Sequence, residues 1–296
     1  MSAPNMRLAA LRRFAITITV LNLLGRTILG FENSWAQMFV ALLMAYFAEI
    51  VLELVDAFAN KKTPRFMGSG VTNFIDFLLP AHISGMAVSM LLYCGDLLLP
   101  FAFASAVAIA SKALLTVKVN NADRHFLNPS NTGIAVTVFL FPALAPIMPW
   151  QFTESLSSNW SSAFAMIVIV LGTYMNWYYA KRMPLVLAWV LAFAIQGVLR
   201  CLINGIPLIV GFVPITGVSF LLFTFYMITD PGATPSDKRE QVIFGAATAV
   251  VYCLLVLAHI GFAFFYALFI VSFCRGLFLH LKAARLSFQP ATQTKV

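Results

Sequence analysis

The chain has 296 residues, 61% of them hydrophobic and 10% charged, with a formal net charge of +8. Soluble domains carry about 25% charged residues, so this composition excludes a soluble globular fold and indicates an all-α, polytopic membrane protein. No polar segment is long enough for a separate domain, so 1–296 reads as one transmembrane unit. The positive balance reads through the membrane, and no aromatic-interleaved basic patch points to nucleic acid. Cys94, Cys201, Cys253 and Cys274 stand outside any CxxC or histidine spacing, so no metal centre is expected. Cys94 and Cys201 fall near one membrane face, which leaves a disulfide open.

A spanning helix needs about 20 apolar residues, and ten candidate spans follow in chain order. The first, Phe14–Gly30, comes after "RLAALRR" and lacks a small-x-small cleavage site, so it reads as an uncleaved helix. The second, Trp35–Ala57, carries Glu49, Glu53 and Asp56 at i, i+4 and i+7, within about 60° of arc. A carboxylate facing lipid costs about 2.5–3.5 kcal/mol, so this stripe should face the bundle, with Asp56 solvated at its boundary. Glu49 lies at about the depth of Lys112 in the fourth span, and an ion pair between them is expected, structural ahead of ion-conducting.

The third span, Val71–Tyr93, contains Pro80, His82, Ser84 and Gly85. Leu97–Thr116 and Pro129–Met148 complete the first half, about 1–150. The second half, about 151–296, holds Ala163–Tyr179, Leu185–Leu202, Leu208–Ile228, Val242–Leu257 and Phe262–Leu279. The last two join tightly around His259. With the N-terminus inside, Lys and Arg fall in "RLAALRR", "NKKTPR", "VKVNNADRH", "AKR", "SDKRE" and "HLKAAR". The alternate loops lack them, apart from Arg200 at the edge of a span. This alternation supports ten spans with both termini cytoplasmic.

"HISGMAVSM" (82–90) echoes "PITGVSFLL" (214–222), in the third and eighth spans. Five spans per half would make the halves inverted repeats, as in many transporters. His82 and Thr216 both fall near the bilayer middle, about 16 and 12 Å from their span ends. Pro80 and Gly85, and Pro214 and Gly217, sit beside them as helix breakers. The third and eighth helices are therefore expected to be broken, with His82, Ser84, Gly85, Thr216, Gly217, Glu49 and Lys112 along a transport path. The alternative is that Pro and Gly serve only packing.

Two polar knots interrupt the oil. In "DRHFLNPSNTG" (123–133), Asn128 is suited to cap a helix opened by Pro129, with Ser130, Asn131 and Thr132 in its first turn. Such an end favours anions, phosphates included. "TDPGATPSD" (229–237) repeats the shape, Asp230-Pro231-x-x-Thr234 against Asn128-Pro129-x-x-Thr132. Both lie on the cytoplasmic side and are able to converge on one site; the alternative is two capped helix ends. Asp237 with Glu240 reads as a capping pair. No nucleophile–base set, phosphate loop or paired acid and base stands out, so no catalytic residue is expected.

"HFLNPSNTGIAVTVFLFP", "FYMITDPGATPSDKREQVIFGA" and "AEIVLELVDA" resemble the NqrB/RnfD family of membrane electron-transport subunits. "DFLLPAHI", "HFLNPSN" and "TFYMITDP" look most like a divergent branch that includes membrane proteins of enediyne biosynthetic clusters. The resemblance implies a ten-helix inverted repeat in the cell (inner) membrane, redox partner subunits, and electron transfer through flavins coupled to ion translocation. It also implies an FMN phosphoester on the Thr of an outer Ser-Gly-Ala-Thr motif. Here the outer loop "PWQFTESLSSNW" has no such motif, and the sole Gly-Ala-Thr is the cytoplasmic Gly232-Ala233-Thr234, after Pro231. No covalent FMN is therefore expected. What remains is a non-covalent flavin or quinone at Asn128, Ser130, Thr132, Asp230 and Thr234, a cofactor-free channel or secondary transporter for a small metabolite, or a structural subunit of a membrane complex.

Overall fold

The computed structural model describes residues 3–68, 70–119, 122–144 and 156–287. Helical segments stand at all ten expected positions: α1 (Ala3–Leu24), α2 (Trp35–Ala59), α3 (Gly70–Leu91), α4 (Leu99–Leu114), α5 (Pro129–Leu140), α6 (Ser158–Tyr174), α7 (Met183–Asn204), the pair α8 (Leu208–Phe212) and α9 (Val218–Leu222), α10 (Lys238–Leu257) and α11 (Ala263–Ser287). Among the described residues, six helices are long and apolar enough to cross a membrane. The count is seven if the bent α8–α9 pair is one span.

The shortfall from ten has local causes. α1 begins well before Phe14 and takes Arg12 and Arg13 into its length, so its composition is mixed. α4 has 16 residues, and α5 has 12 where a span to Met148 is expected. Pro142 disfavours helical backbone in the residue before it, and the helix stops at Leu140. Residues 145–155, which carry the rest of that expectation, lie outside the described residues. A second difference is an antiparallel ribbon, β1 (Thr116–Val119) with β2 (Ala122–His125), pairing Thr116 with His125 and Val117 with Arg124. Thr116 and Val117 suit a strand, and buried Val117, Phe126 and Leu127 anchor the ribbon against Phe269 and Leu279 of α11.

The third helix is not broken. α3 runs unbroken from Gly70 to Leu91 with Pro80 inside it. Proline removes one backbone donor, and the Ser84 hydroxyl turns back onto the Pro80 carbonyl at 3.0 Å. Gly85 serves close packing: a β-carbon there would lie 3.1 Å from the Ala41 carbonyl oxygen and from the Ala45 side chain of α2. The eighth segment is broken as expected. Val213–Thr216 tighten into a 3₁₀ turn, Gly217 is extended (φ −89°, ψ 140°), and the two pieces meet at 62°. His259 and Phe262, both at positive φ, turn the chain between α10 and α11, so the tight joint separates two distinct helices.

The largest core gathers the aromatic side chains of the second half. Trp189 is fully buried and donates from Nε1 to Thr224 Oγ1 at 3.0 Å. Phe193 packs on Phe220 (4.8 Å between centroids), and Tyr252 stacks on Phe264 (4.7 Å). In the first half small residues set the spacing. At Gly133 of α5 a β-carbon would collide with the Ala104 carbonyl oxygen of α4. Gly133→Ala should therefore lower the stability of the solubilised protein by about 1–3 kcal/mol, the usual range for overpacking. Gly261→Ala, where a β-carbon meets nothing within 4 Å, should leave the thermal midpoint unchanged.

Candidate functional site

The two polar knots meet. The residue before a proline is pushed toward extended backbone, and Asn128 takes φ −68°, ψ 121°. Its Oδ1 accepts from the Asn131 N–H (3.0 Å) and from the Ser130 hydroxyl (3.0 Å). Its Nδ2 then donates to the Met227 carbonyl at 3.0 Å, at a sequence separation of 99. Asn131 in turn donates to the Phe265 carbonyl of α11 at 3.0 Å. The start of α5 is thus tied to the end of the α9 segment and to α11.

The second knot is a turn closed on Asp230. Oδ1 accepts from the Gly232 N–H (2.9 Å), and the Asp230 carbonyl accepts from the Thr234 N–H (3.0 Å) and hydroxyl (2.6 Å). Basic side chains from three elements surround it. His125 Nε2, at the end of β2, lies 3.5 Å from Asp230 Oδ2. Arg182, just before α7, donates to Thr234 Oγ1 at 2.9 Å and to the Pro231 carbonyl at 3.5 Å. Arg275 of α11 donates to the Ala233 carbonyl at 3.2 Å. A β-carbon at Gly232 would strike the His125 ring, so only glycine lets the ring and the turn approach. Asp237 closes the segment by capping the Arg239 and Glu240 N–H groups of α10.

The balance of charge here is positive. Burial pushes the Arg182 guanidinium below its ordinary value; Asp230 opposes that, and Arg124 and Arg275 add to it. Burial alone would raise the Asp230 carboxyl, but the His125 hydrogen bond and charge, the Gly232 N–H and Arg182 outweigh it, and the net shift is downward. Among the described residues, no carboxylate pairs directly with Arg182 or Arg275. The donors facing the turn from Arg182, Arg275 and His125 suit an anionic group.

Of the expected anchors, Asn128, Ser130, Asp230 and Thr234 do come together. Their polar atoms, however, are largely committed to one another. Thr132 Oγ1 bonds back to the Asn128 carbonyl at 2.8 Å, and Asn128 already fills the first-turn N–H of Asn131. The first turn of α5 is therefore a latch, with few donors left for an anion. Thr234 is buried, with its hydroxyl engaged on both sides, and does not fit a phosphoester. Arg182 and Arg275 carry the site and were not singled out from sequence. Arg275 had a usable signal, a lone charge inside the apolar run "IVSFCRGLFL".

The expected path residues are also partnered. Thr19 gives its hydroxyl hydrogen to the Ala15 carbonyl (2.7 Å), so His82 Nε2 donates to Thr19 Oγ1 (2.7 Å) and Nδ1 accepts from the Tyr46 hydroxyl (2.5 Å). That network is complete for a neutral ring and pins α3 to α1 and α2. Glu49 pairs with Lys112 at 2.8 and 3.0 Å. Along the same stripe Glu53 binds Arg65 (2.6 Å) and Asp56 binds Lys62 (2.5 Å). Gly217 forms the bend of the eighth segment, and the Thr216 backbone lies in its 3₁₀ turn. Cys94 and Cys201 are both buried free thiols, so no disulfide joins them. No group of three or more metal-ligating side chains occurs among the described residues. No protein-family model matches the chain, and no curated protein sequence matches it.

Two outcomes follow. Asn128→Ala removes the helix cap, worth about 1 kcal/mol, and the bond to Met227, worth about 1 kcal/mol more. A combined loss near 2 kcal/mol should appear as a lower thermal midpoint. Asp230 holds its native pKa below the unfolded value near 4, so its contribution is present above pH 4 and is lost as pH falls through the native value. Thermal midpoints recorded from pH 6 downward should drop more steeply for the wild type than for Asp230→Asn.

Proposed function

We propose that the chain is an integral membrane subunit of the RnfD/NqrB type, exchanging electrons with partner redox subunits and coupling them to ion translocation. It carries no covalent FMN; a flavin or quinone is held non-covalently beside the Asp230 turn. The observation that supports this most is the Asn128–Met227 bond. It joins the two motifs that carry the resemblance into one seat bordered by Arg182, Arg275 and His125. A cationic ring stabilises a reduced quinone or flavin, which gains negative charge. Asn128, Ser130 and Thr132 fix the wall of this seat, while Thr234 fixes Arg182.

On this reading the ten helical segments are ten spans in two inverted halves, in the cell (inner) membrane, with both termini and the seat cytoplasmic. The alternation of basic loops supports that orientation. A second reading, a cofactor-free channel or secondary transporter for a small metabolite, is favoured by the 62° bend at Val213–Gly217.

An absorbance and fluorescence spectrum of the protein, taken in native membranes and after purification, separates the two. Flavin or quinone released to the supernatant by acid or solvent, and lost in Arg182→Gln, is the expected result. Membranes rich in the protein but free of any bound chromophore or quinone would overturn the redox reading, and flavin retained in the acid pellet would overturn the non-covalent assignment.

A further inference from the structure

The second half holds a set of buried polar atoms that neither the seat nor the redox reading uses. Gln196 lies on the stripe of α7 that carries Trp189 and Phe193, three residues beyond Phe193 and seven beyond Trp189. It is 8% exposed, and its Nε2 and its Oε1 are both buried without a hydrogen-bond partner. One turn further on, Arg200 has its Nε buried without a partner as well. No carboxylate lies within ion-pair distance of Arg200 among the described residues. Three unmatched polar atoms thus share one face of one helix, in the last third of a candidate span that ends at Asn204.

Two neighbouring elements face the same place. The broken segment crosses α7 next to Gln196: a β-carbon at Gly211 would lie 2.8 Å from the Gly197 carbonyl oxygen and from Cys201 Sγ. On the other side Phe193, three residues before Gln196, packs on Tyr252 of α10 at 5.3 Å. That phenol has no hydrogen bond of its own to a described residue, so it is free to donate. The rings of Phe193, Phe220, Tyr252 and Phe264 pack together beside these atoms.

A buried amide left unpaired is destabilising, and half-buried Arg200 adds an unpaired Nε one turn away. A ligand that repairs all of these needs negative charge, to meet Arg200 and accept from Gln196 Nε2 and Tyr252. It also needs one donor, to meet Gln196 Oε1. We propose that Gln196, Arg200 and Tyr252, beside the break in α8–α9, form an intramembrane site for a small 2-hydroxycarboxylate. The carboxylate lies against Arg200 and the amide nitrogen, and the hydroxyl donates to the amide oxygen. The site shares no residue with the Asp230 seat, so it stands or falls independently of the redox reading.

The test is the thermal midpoint of the detergent-purified full chain, titrated with sodium lactate, sodium acetate and sodium chloride. Lactate should raise the wild-type midpoint in a saturable way, acetate should bind about tenfold more weakly for want of the hydroxyl, and chloride should have no specific effect. Gln196→Leu and Arg200→Gln should each abolish the lactate response. Gln196→Leu should fold at least as stably as the wild type, because it replaces an unpaired amide by an apolar group. An unchanged wild-type midpoint in lactate, with Gln196→Leu more stable, would mean that the polar atoms meet only water and would overturn the proposal. An identical lactate response in Gln196→Leu would overturn it too.

Discussion

Much of this architecture depends on one hydrogen bond, from the Asn128 carboxamide to the Met227 carbonyl. Where a helix begins or ends inside an apolar environment, its last donors and acceptors have no water to meet them. Asn128 answers this for two helices at once. Its oxygen serves the Asn131 N–H and the Ser130 hydroxyl at the start of α5, and its nitrogen serves the Met227 carbonyl in the helical run that follows α9. The same junction brings β2, α7 and α11 around the Asp230 turn, which is why His125, Arg182 and Arg275 converge there.

The same bookkeeping of polar groups explains the first half. Glu49, Glu53 and Asp56 run down one face of α2, and each finds a cation from a different segment: Lys112 of α4, and Arg65 and Lys62 beyond the end of α2. Removing Lys112 or Arg65 would leave the buried Glu49 or Glu53 carboxylate uncompensated, which costs far more than the pair contributes. His82 is settled likewise between Thr19 and Tyr46. In the second half the accounting stays open at Gln196 and Arg200, and the helix beside them is the broken one.

Much of this was legible in the sequence. Apolar runs and basic loops located the helical segments, Asn128 before Pro129 announced the cap, and the depth of Glu49 and Lys112 announced their pair. The misreadings have physical causes. Pro80 suggests a break, yet one missing N–H is tolerated in a helix whose neighbours pack closely, and Gly85 is there to admit α2. Pro142 shortens α5 although the apolar run continues. The roles of Arg182 and Arg275 depend on contacts across 52 and 42 residues of chain, which no local pattern carries.

The most direct measurement is proximity across the junction. In a chain with its native cysteines replaced, His125→Cys and Gly232→Cys are introduced together; truncating the ring also removes the collision that a β-carbon at 232 would otherwise meet. A short bifunctional thiol reagent should join the pair efficiently in membranes, and the product should appear as a single fragment-retaining chain after cleavage between the two sites. Efficient labelling of both thiols with no cross-link would contradict the account, because the two motifs would then lie apart.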